Sequence, residues 1–229
     1  VTGVQTCALP IWRNEVRFKT ATDFAVSEIK KRIISQELPP GARIDQTKIA
    51  EQLDISRIPV RQALVQLAER SFVQVHAHRS AVVAPLSRTD LEDLYELRNT
   101  LESWVLAEAL HQYCDQDKEY LEELFDAMKA VNQQGVEDYM EINREFHLAL
   151  FMPARNTHTI RVLTSLFDLS ERYQWMYLNA TRQMDASLDD HREMLDAIKL
   201  GKCEQLLSIS KEHNLKTLQW VSKYIPPDD

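Results

Sequence analysis

Residues 39–73 read PPGARIDQTKIAEQLDISRIPVRQALVQLAERSFV, and this stretch decides the fold of the N-terminal third of the chain. The Pro-Pro-Gly at its start ends any preceding helix, because proline lacks an N–H and glycine permits a turn. Asp45 and Ser56 each stand where a side chain can cap a new helix, and Pro59 is tolerated in the first turn of the second helix. Two short helices separated by a brief turn predict a helix-turn-helix.

The segments on either side of this stretch extend the prediction. Residues 22–37 carry apolar side chains at helical spacing, which predicts a helix before the Pro-Pro-Gly turn. After the stretch begin two short β-like runs, FVQVHA and SAVVAPL, which predict a small hairpin. Three helices followed by a hairpin make a winged helix-turn-helix, and we assign it to residues 19–86 as a DNA-binding domain.

Beyond Pro85 the hydrophobic periodicity is helical almost to the end of the chain. The predicted helical segments are 88–113, 116–133, 136–152, 157–181, 186–200 and 202–224. The fold class we expect is therefore mainly α, with the winged helix-turn-helix followed by an all-α second part, residues 87–229.

The charge is divided unevenly along the chain. The whole protein has a formal net charge of −8, yet residues 19–86 carry a net charge of +3 and residues 87–229 a net charge of −12. An acidic domain lowers long-range attraction to a polyanion but does not abolish local contacts. The acidity therefore does not exclude nucleic-acid binding by the N-terminal third.

The composition indicates a globular protein, with 44% hydrophobic and 27% charged residues. No apolar run reaches the roughly 18 residues that span a membrane, so no membrane partner is expected. The three cysteines form no CxxC pair, which favours a reducing compartment and a cytoplasmic location. Residues 1–18 are expected to be a non-native or disordered tail, because VTGVQTCALPI (1–11) resembles the translation of a synthetic sequencing adapter.

The second helix of the helix-turn-helix carries the residues expected to read DNA. In this motif that helix lies in the major groove and contacts bases with its N-terminal residues, which here are Ser56, Arg57, Ile58 and Arg61. Arginine suits guanine or phosphate because its planar guanidinium donates two parallel hydrogen bonds. Arg79, at the hairpin tip, is expected to reach phosphate or the minor groove. The alternative for an isolated arginine pair is a solvated helix face.

The opening stretch resembles the N-terminal domain of GntR-family transcription regulators. The matching residues are Pro40-Gly41, Arg43, Ile49-Ala50, Leu53, Ser56-Arg57, Pro59-Val60-Arg61 and Ala63-Leu64. The resemblance implies that Arg57 and Arg61 contact DNA. The family often has glycine where Asp54, Ser71 and Ser80 stand, and a side chain at such a position costs about 1 kcal/mol if the backbone keeps a positive φ.

Polar residues on three of the later helices suggest a metal site. Asn143 and His147 are four residues apart and share one helix face, and His191 and His213 lie on two further predicted helices. Three imidazole nitrogens and an amide oxygen can bind a divalent transition metal such as Zn²⁺, Ni²⁺ or Mn²⁺ and leave room for water or a ligand carboxylate. Each histidine taken alone is also explained as a surface or helix-capping residue.

The same helices resemble the FCD effector domain of the FadR subgroup, on LYELRNTLESW, NREFHLAL, DDHREMLDAI and the late His213. For residues 87–229 the resemblance implies an all-α antiparallel helical bundle that binds an effector and dimerises. It also implies a metal held by an Asp and three His. Here the Asp position is Asn143, whose neutral oxygen should lower the metal affinity or change the metal preference. The resemblance also implies a pocket for a small carboxylate effector, in which Arg98 pairs with the acid and Asn156 is a further candidate. The alternative for Arg98 is a surface pair with Glu102.

These features together predict a ligand-responsive transcription regulator, and not an enzyme. We expect it to bind a double-stranded DNA operator with inverted repeats as a homodimer, since two-fold DNA symmetry mirrors protein symmetry. Repression is the expected sign. One alternative is a metal-dependent enzyme built on the bundle, because a histidine site with an open position can activate water. Another is a regulator whose metal is purely structural.

Overall fold

The structure of the protein is a computed structural model, and it describes residues 20–76, 80–132, 135–182, 184–225 and 228. Residues 1–18 and Arg79, on which predictions were made, lie outside the described residues. The chain divides into two compact units, with the boundary between Ser87 and Arg88. Each unit is described by itself.

The N-terminal unit combines helices with a small antiparallel sheet. Its elements are α1 (Ala21–Ile34), β1 (Arg43–Ile44), α2 (Gln46–Gln52), α3 (Arg57–Glu69), β2 (Val73–His76) and β3 (Ser80–Val83). The strand order is β1-β3-β2, and the β2–β3 pair is the predicted hairpin. The predicted winged helix-turn-helix is confirmed, and β1 adds a short third strand that was not predicted.

The caps of the two helices of the motif differ. The Asp45 carboxylate accepts hydrogen bonds from the backbone N–H groups of Thr47 and Lys48, at 2.9 and 3.2 Å. These bonds hold the pKa of Asp45 below its usual range and satisfy donors that a helix start leaves open. Ser56 is the N-cap residue of α3, but its side chain makes no capping hydrogen bond. The prediction of a Ser56 side-chain cap was therefore wrong.

The family often has glycine at three positions of this unit, and at two of them the backbone has the positive φ that favours glycine. Asp54 has a φ of 52° and Ser71 a φ of 59°. At Ser71 the chain closes α3 with paired hydrogen bonds, from Phe72 N–H to the Leu67 carbonyl at 2.9 Å and from Ser71 N–H to the Ala68 carbonyl at 3.0 Å. This is the usual left-handed helix ending, in which glycine avoids a steric cost that serine bears.

Ser80 stands in ordinary strand geometry, unlike Asp54 and Ser71. It opens β3 and pairs with His76 across the hairpin. The expected cost of lacking glycine at this position is therefore not supported by the backbone.

A single apolar core holds the N-terminal unit together. α1 packs against α3, and both contribute fully buried aliphatic side chains. Phe72 and Val73 close the core from the start of β2. The face of α3 that carries Val60, Leu64 and Leu67 is thereby committed to the interior, and its opposite face is left to solvent.

The C-terminal unit is a helical bundle. Its elements are α4 (Arg88–Leu110), α5 (Asp115–Val131), α6 (Val136–Phe151), a 3₁₀ turn (Met152–Ala154), α7 (Thr157–Thr181), α8 (Met184–Lys199) and α9 (Cys203–Val221). They correspond to the predicted helical segments, with ends that differ by a few residues. Proline and glycine mark two of the breaks between these helices, because Pro153 lies in the 3₁₀ turn and Gly201 takes a φ of 64° after α8.

The packing order within the bundle brings α6, α8 and α9 around one region. α9 packs against α4, α7 and α8, and α6 packs against α5 and α7.

Among the described residues, no helix combines the length and the apolar character needed to cross a membrane.

Candidate metal centre and nucleic-acid interface

Three histidines converge inside the C-terminal bundle. His147 comes from α6, His191 from α8 and His213 from α9, and one ring nitrogen of each lies within 4.8 Å of the others. The Nε2 atoms of His147 and His191 are 3.2 Å apart. His147 and His191 are buried, and His213 is partly exposed.

The spacing of two of these nitrogens suits a metal ion. Zinc–nitrogen bonds of about 2.0–2.1 Å in a tetrahedral site place neighbouring nitrogens about 3.3 Å apart. The separation of 3.2 Å between the Nε2 atoms of His147 and His191 matches that value. In the absence of an ion the same distance is that of an N–H···N hydrogen bond between the two rings.

The predicted oxygen ligand is Asn143. It lies one turn before His147 on α6 and is 5% exposed. Its Oδ1 atom is buried and has no hydrogen-bond partner among the described residues. Asn143 and His213 line a cavity of about 20 Å³, which is enough for one water-sized occupant. An unsatisfied buried oxygen one turn from His147 fits a cation, and so does the set of three imidazoles and an amide oxygen.

The electrostatics of the site keep its buried imidazoles neutral. Burial lowers the pKa of His147 well below its usual value, and His191 and His213 lower it further. Burial and then His213 also lower the pKa of His191. A metal binds the neutral form of imidazole, so these two rings need not lose a proton to bind one near neutral pH.

Asp190 and Lys216 belong to this region but were not predicted. An oxygen of Asp190 lies 3.0 Å from Nδ1 of His213, and Nζ of Lys216 lies 2.5 and 2.8 Å from the two oxygens of Asp190. Burial tends to raise the pKa of Asp190, but hydrogen bonds from His213 and Lys216 outweigh it and hold the pKa low. The only sequence signal was the acidic pair before His191, which does not reveal a partner on another helix.

Arg98 lies inside the bundle, where each of its three guanidinium nitrogens has a hydrogen-bond partner. Its guanidinium donates to Glu102 at 2.7 Å, to Ser170 at 3.0 Å and to Asn214 at 3.1 Å. It also stacks over the ring of Phe167 at 4.0 Å. The alternative of a surface pair with Glu102 was wrong in one respect, because the pair forms but is buried, with side chains 0% and 2% exposed.

Asn156 is not brought to the histidine cluster. It is the N-cap of α7, where its side-chain oxygen accepts a hydrogen bond from Thr159 N–H at 3.1 Å. It is not among the residues that line the cavity beside Asn143. The structure thus gives Asn156 a capping role, and its predicted contact with an effector has no support from its position.

The predicted DNA-reading residues lie together on the free face of α3. Ser56, Arg57, Ile58 and Arg61 are all exposed, and Ile58 is 65% exposed. Within the part of the chain that the structure describes, Arg57 and Arg61 form no hydrogen bond or ion pair. Both guanidinium groups are therefore available to an external anion, and the exposed Ile58 adds an apolar side chain next to Arg57 in sequence.

Comparison with known proteins finds a matching family model for each of the two units. The model of the gntR family of bacterial regulatory proteins matches residues 21–83, and the FCD domain model matches residues 93–215, more than half of the chain. The "Probable D-xylose utilization operon transcriptional repressor" of Paenarthrobacter nicotinovorans is 29% identical over 209 residues, 89% of this chain and 85% of that protein.

Two further proteins have lower sequence identity but match most of the chain. The uncharacterised HTH-type transcriptional regulator YdhC of Bacillus subtilis is 22% identical over 175 residues, 76% of this chain and 78% of its own length. The solved structure of McbR/YncC from Escherichia coli superposes with a TM-score of 0.77 at 22% identity, over 90% of this chain and 98% of that one. That structure shows the same fold.

The matched relatives and domains are those of transcription regulators, not enzymes. The order of domains, a winged helix-turn-helix followed by an FCD bundle, fits the FadR-like subgroup. The resemblance seen in the sequence is confirmed: the chain belongs to the GntR family of bacterial regulatory proteins, and it is a transcriptional regulator with a C-terminal FCD domain.

Proposed function

We propose that the protein is a metal-containing transcriptional repressor whose binding to operator DNA responds to a small carboxylate. The observation that carries this proposal is the convergence of His147, His191 and His213 from three helices, with the unsatisfied buried oxygen of Asn143 one turn before His147 on α6. A buried oxygen without a hydrogen-bond partner requires an explanation, and a bound cation supplies one.

The residues proposed to hold the metal are Asn143, His147, His191 and His213. Nitrogen-rich sites favour ions such as Zn²⁺ or Ni²⁺ over ions that prefer carboxylates. When bound, the metal supplies positive charge and an open coordination position. The chain holds the imidazoles neutral by burial and limits the access of water to a cavity of about 20 Å³.

The proposed DNA contact is the N-terminal face of α3, formed by Ser56, Arg57, Ile58 and Arg61. GntR regulators bind operators, and we propose that this one does so as a homodimer on an inverted repeat. The exposed arginines can each bind guanine or phosphate, and the exposed Ile58 side chain can contact a thymine methyl group.

The proposed effector is a small carboxylate that enters the bundle and takes the open position on the metal. A ligand shifts operator affinity only if it binds one conformational state of the protein more tightly than another. Arg98 would pair with the acid in competition with Glu102, because each of its guanidinium nitrogens already donates a hydrogen bond within the protein. Two relatives bear names as repressors of operons for D-xylose utilisation and gluconate, which supports repression.

Elemental analysis tests the metal. We expect roughly one transition-metal ion per chain in the purified protein and its loss in His147→Ala. His158→Ala is the matched control, because His158 is exposed at the start of α7 and should leave the metal content unchanged. A wild-type protein that neither retains nor takes up a metal ion would refute the metal centre.

Operator binding tests α3. Arg57→Ala and Arg61→Ala should each weaken binding by about 1–3 kcal/mol, on the scale of a lost base contact. Arg70→Ala is the control, because Arg70 follows the last residue of α3, roughly 20 Å from Arg57 at the helical rise per residue. Unchanged affinity in both α3 variants would remove this helix from the DNA interface.

Removal of the metal separates a sensing role from a structural one. If the metal receives the effector, the metal-free protein keeps operator binding but loses the response to carboxylates. If the metal is structural only, its removal lowers the free energy of unfolding while the operator affinity of the loaded protein is the same with and without carboxylates. Operator binding and thermal unfolding of the same samples distinguish the two.

A further inference from the structure

Asp190 links the candidate metal centre to the neighbouring helix. It lies on α8 immediately before His191, and its carboxylate reaches α9, where it contacts both His213 and Lys216. The distance from the Asp190 oxygen to Nδ1 of His213 is 3.0 Å. The side chains of Asp190 and His213 are 13% and 14% exposed, so this contact is largely shielded from water.

The hydrogen bond determines which nitrogen of His213 carries the proton. An ionised carboxylate only accepts hydrogen bonds, and a neutral imidazole has one N–H and one lone pair. Nδ1 of His213 must therefore be the donor to Asp190. The lone pair is then left on Nε2, which is the nitrogen that remains to bind a metal.

The other two histidines are held differently. The His191 ring packs against Phe146 with centroids 4.8 Å apart, and His147 packs against Phe167 at 5.5 Å. Nδ1 of His191 is buried without a hydrogen-bond partner among the described residues. Packing orients these two buried rings, whereas the partly exposed His213 has a carboxylate as its fixed partner.

We propose that Asp190 is the positioning residue of the metal centre. It holds His213 in the tautomer and rotation that present Nε2 to the metal, and it places beside the ligands the negative charge that the neutral Asn143 does not provide. Carboxylate partners of metal-binding histidines orient the ring and raise its basicity. This inference rests on the proposed metal site and goes beyond it, because Asp190 is not itself one of the proposed ligands.

Cobalt binding to the metal-free protein tests the role of Asp190. Co²⁺ is the probe, and its visible absorption reports both affinity and ligand geometry. Asp190→Asn preserves the shape of the side chain and removes its charge, so we expect roughly 10–100-fold weaker Co²⁺ binding and an altered absorption band. Asp189→Asn is the matched control, because Asp189 is the adjacent exposed acid and should leave affinity and band unchanged.

A second measurement separates positioning from a general effect on folding. In the metal-free protein under mildly alkaline conditions, the nitrogen-15 spectrum should show His213 with its proton on Nδ1. In Asp190→Ala the proton should distribute between Nδ1 and Nε2, since the acceptor is gone. Thermal unfolding of the metal-free variants should remain close to that of the wild type.

The outcomes are distinct. Weaker Co²⁺ binding in Asp190→Asn, with Asp189→Asn like the wild type and the His213 tautomer changed in Asp190→Ala, supports the proposal. Binding within about twofold of wild type in Asp190→Asn, or an unchanged His213 tautomer, overturns it while leaving the metal centre intact. Failure of the wild-type protein to bind Co²⁺ or any other transition metal overturns the metal centre and this inference with it.

Discussion

Replacing Arg98 by methionine tests whether this residue is part of the structural core of the bundle. Arg98 is 0% and Glu102 1% exposed, and their closest contact is 2.7 Å. Arg98→Met leaves the Glu102 carboxylate buried with hydrogen bonds from Asn214 at 2.9 Å and Ser210 at 3.5 Å, but without its cation. Removal of one partner of a buried ion pair costs about 3–5 kcal/mol.

The assay is thermal and denaturant unfolding of the metal-free protein. A loss of 3–5 kcal/mol corresponds to a drop of about 6–20 °C in the unfolding midpoint for a domain of this size. The double variant Arg98→Met/Glu102→Leu should regain at least half of that loss, because an apolar pair of similar volume replaces the ion pair without leaving a buried charge.

The same helix offers a matched control. Arg88 and Glu92 form the same i,i+4 pair on α4 at 3.2 Å, but their side chains are 38% and 54% exposed. Arg88→Met should change stability by no more than about 0.5 kcal/mol, because solvent screens exposed pairs. Two outcomes would contradict a coupled buried pair of Arg98 and Glu102. One is a loss of less than about 1 kcal/mol in Arg98→Met. The other is a loss in the double variant that equals the sum of the losses in Arg98→Met and Glu102→Leu alone.

Three further predictions concern the helix ending, the metal ligand and the core. Ser71→Gly should raise the free energy of unfolding of the N-terminal unit by up to about 1 kcal/mol, measured by denaturant unfolding, because glycine relieves the left-handed backbone; a loss of stability would contradict that reasoning. Asn143→Asp should tighten metal binding by roughly tenfold or more in a chelator competition, since a full charge at ligand distance is worth more than 1 kcal/mol even in water; unchanged affinity would remove residue 143 from the ligand set. Leu67→Ala should lower the free energy of unfolding by about 2–5 kcal/mol. Val65→Ala should lower it by less than about 0.5 kcal/mol, because the Val65 side chain is 50% exposed. Equal losses would contradict the orientation of α3.

The sequence alone determined the elements whose causes are local. Asp45 caps α2 because its carboxylate lies within reach of the next backbone N–H groups, and Pro153 and Gly201 mark helix ends through their own backbone preferences. Asn143 and His147 share a face because helical spacing brings residues four apart together. Such interactions form within a turn or two of chain, so residue type and spacing suffice to predict them.

Only the tertiary structure decided the environment of the site. Arg98–Glu102 and Arg88–Glu92 have the same residue types and spacing, yet the first pair is buried and the second exposed. The difference arises because α7 and α9 pack over Arg98 and supply Ser170 and Asn214.

Asp190 was missed for the same reason, since its partner His213 stands on another helix. Whether a side chain is removed from water, and which distant group then satisfies it, depends on how helices pack. Spacing along one helix carries no information about that packing.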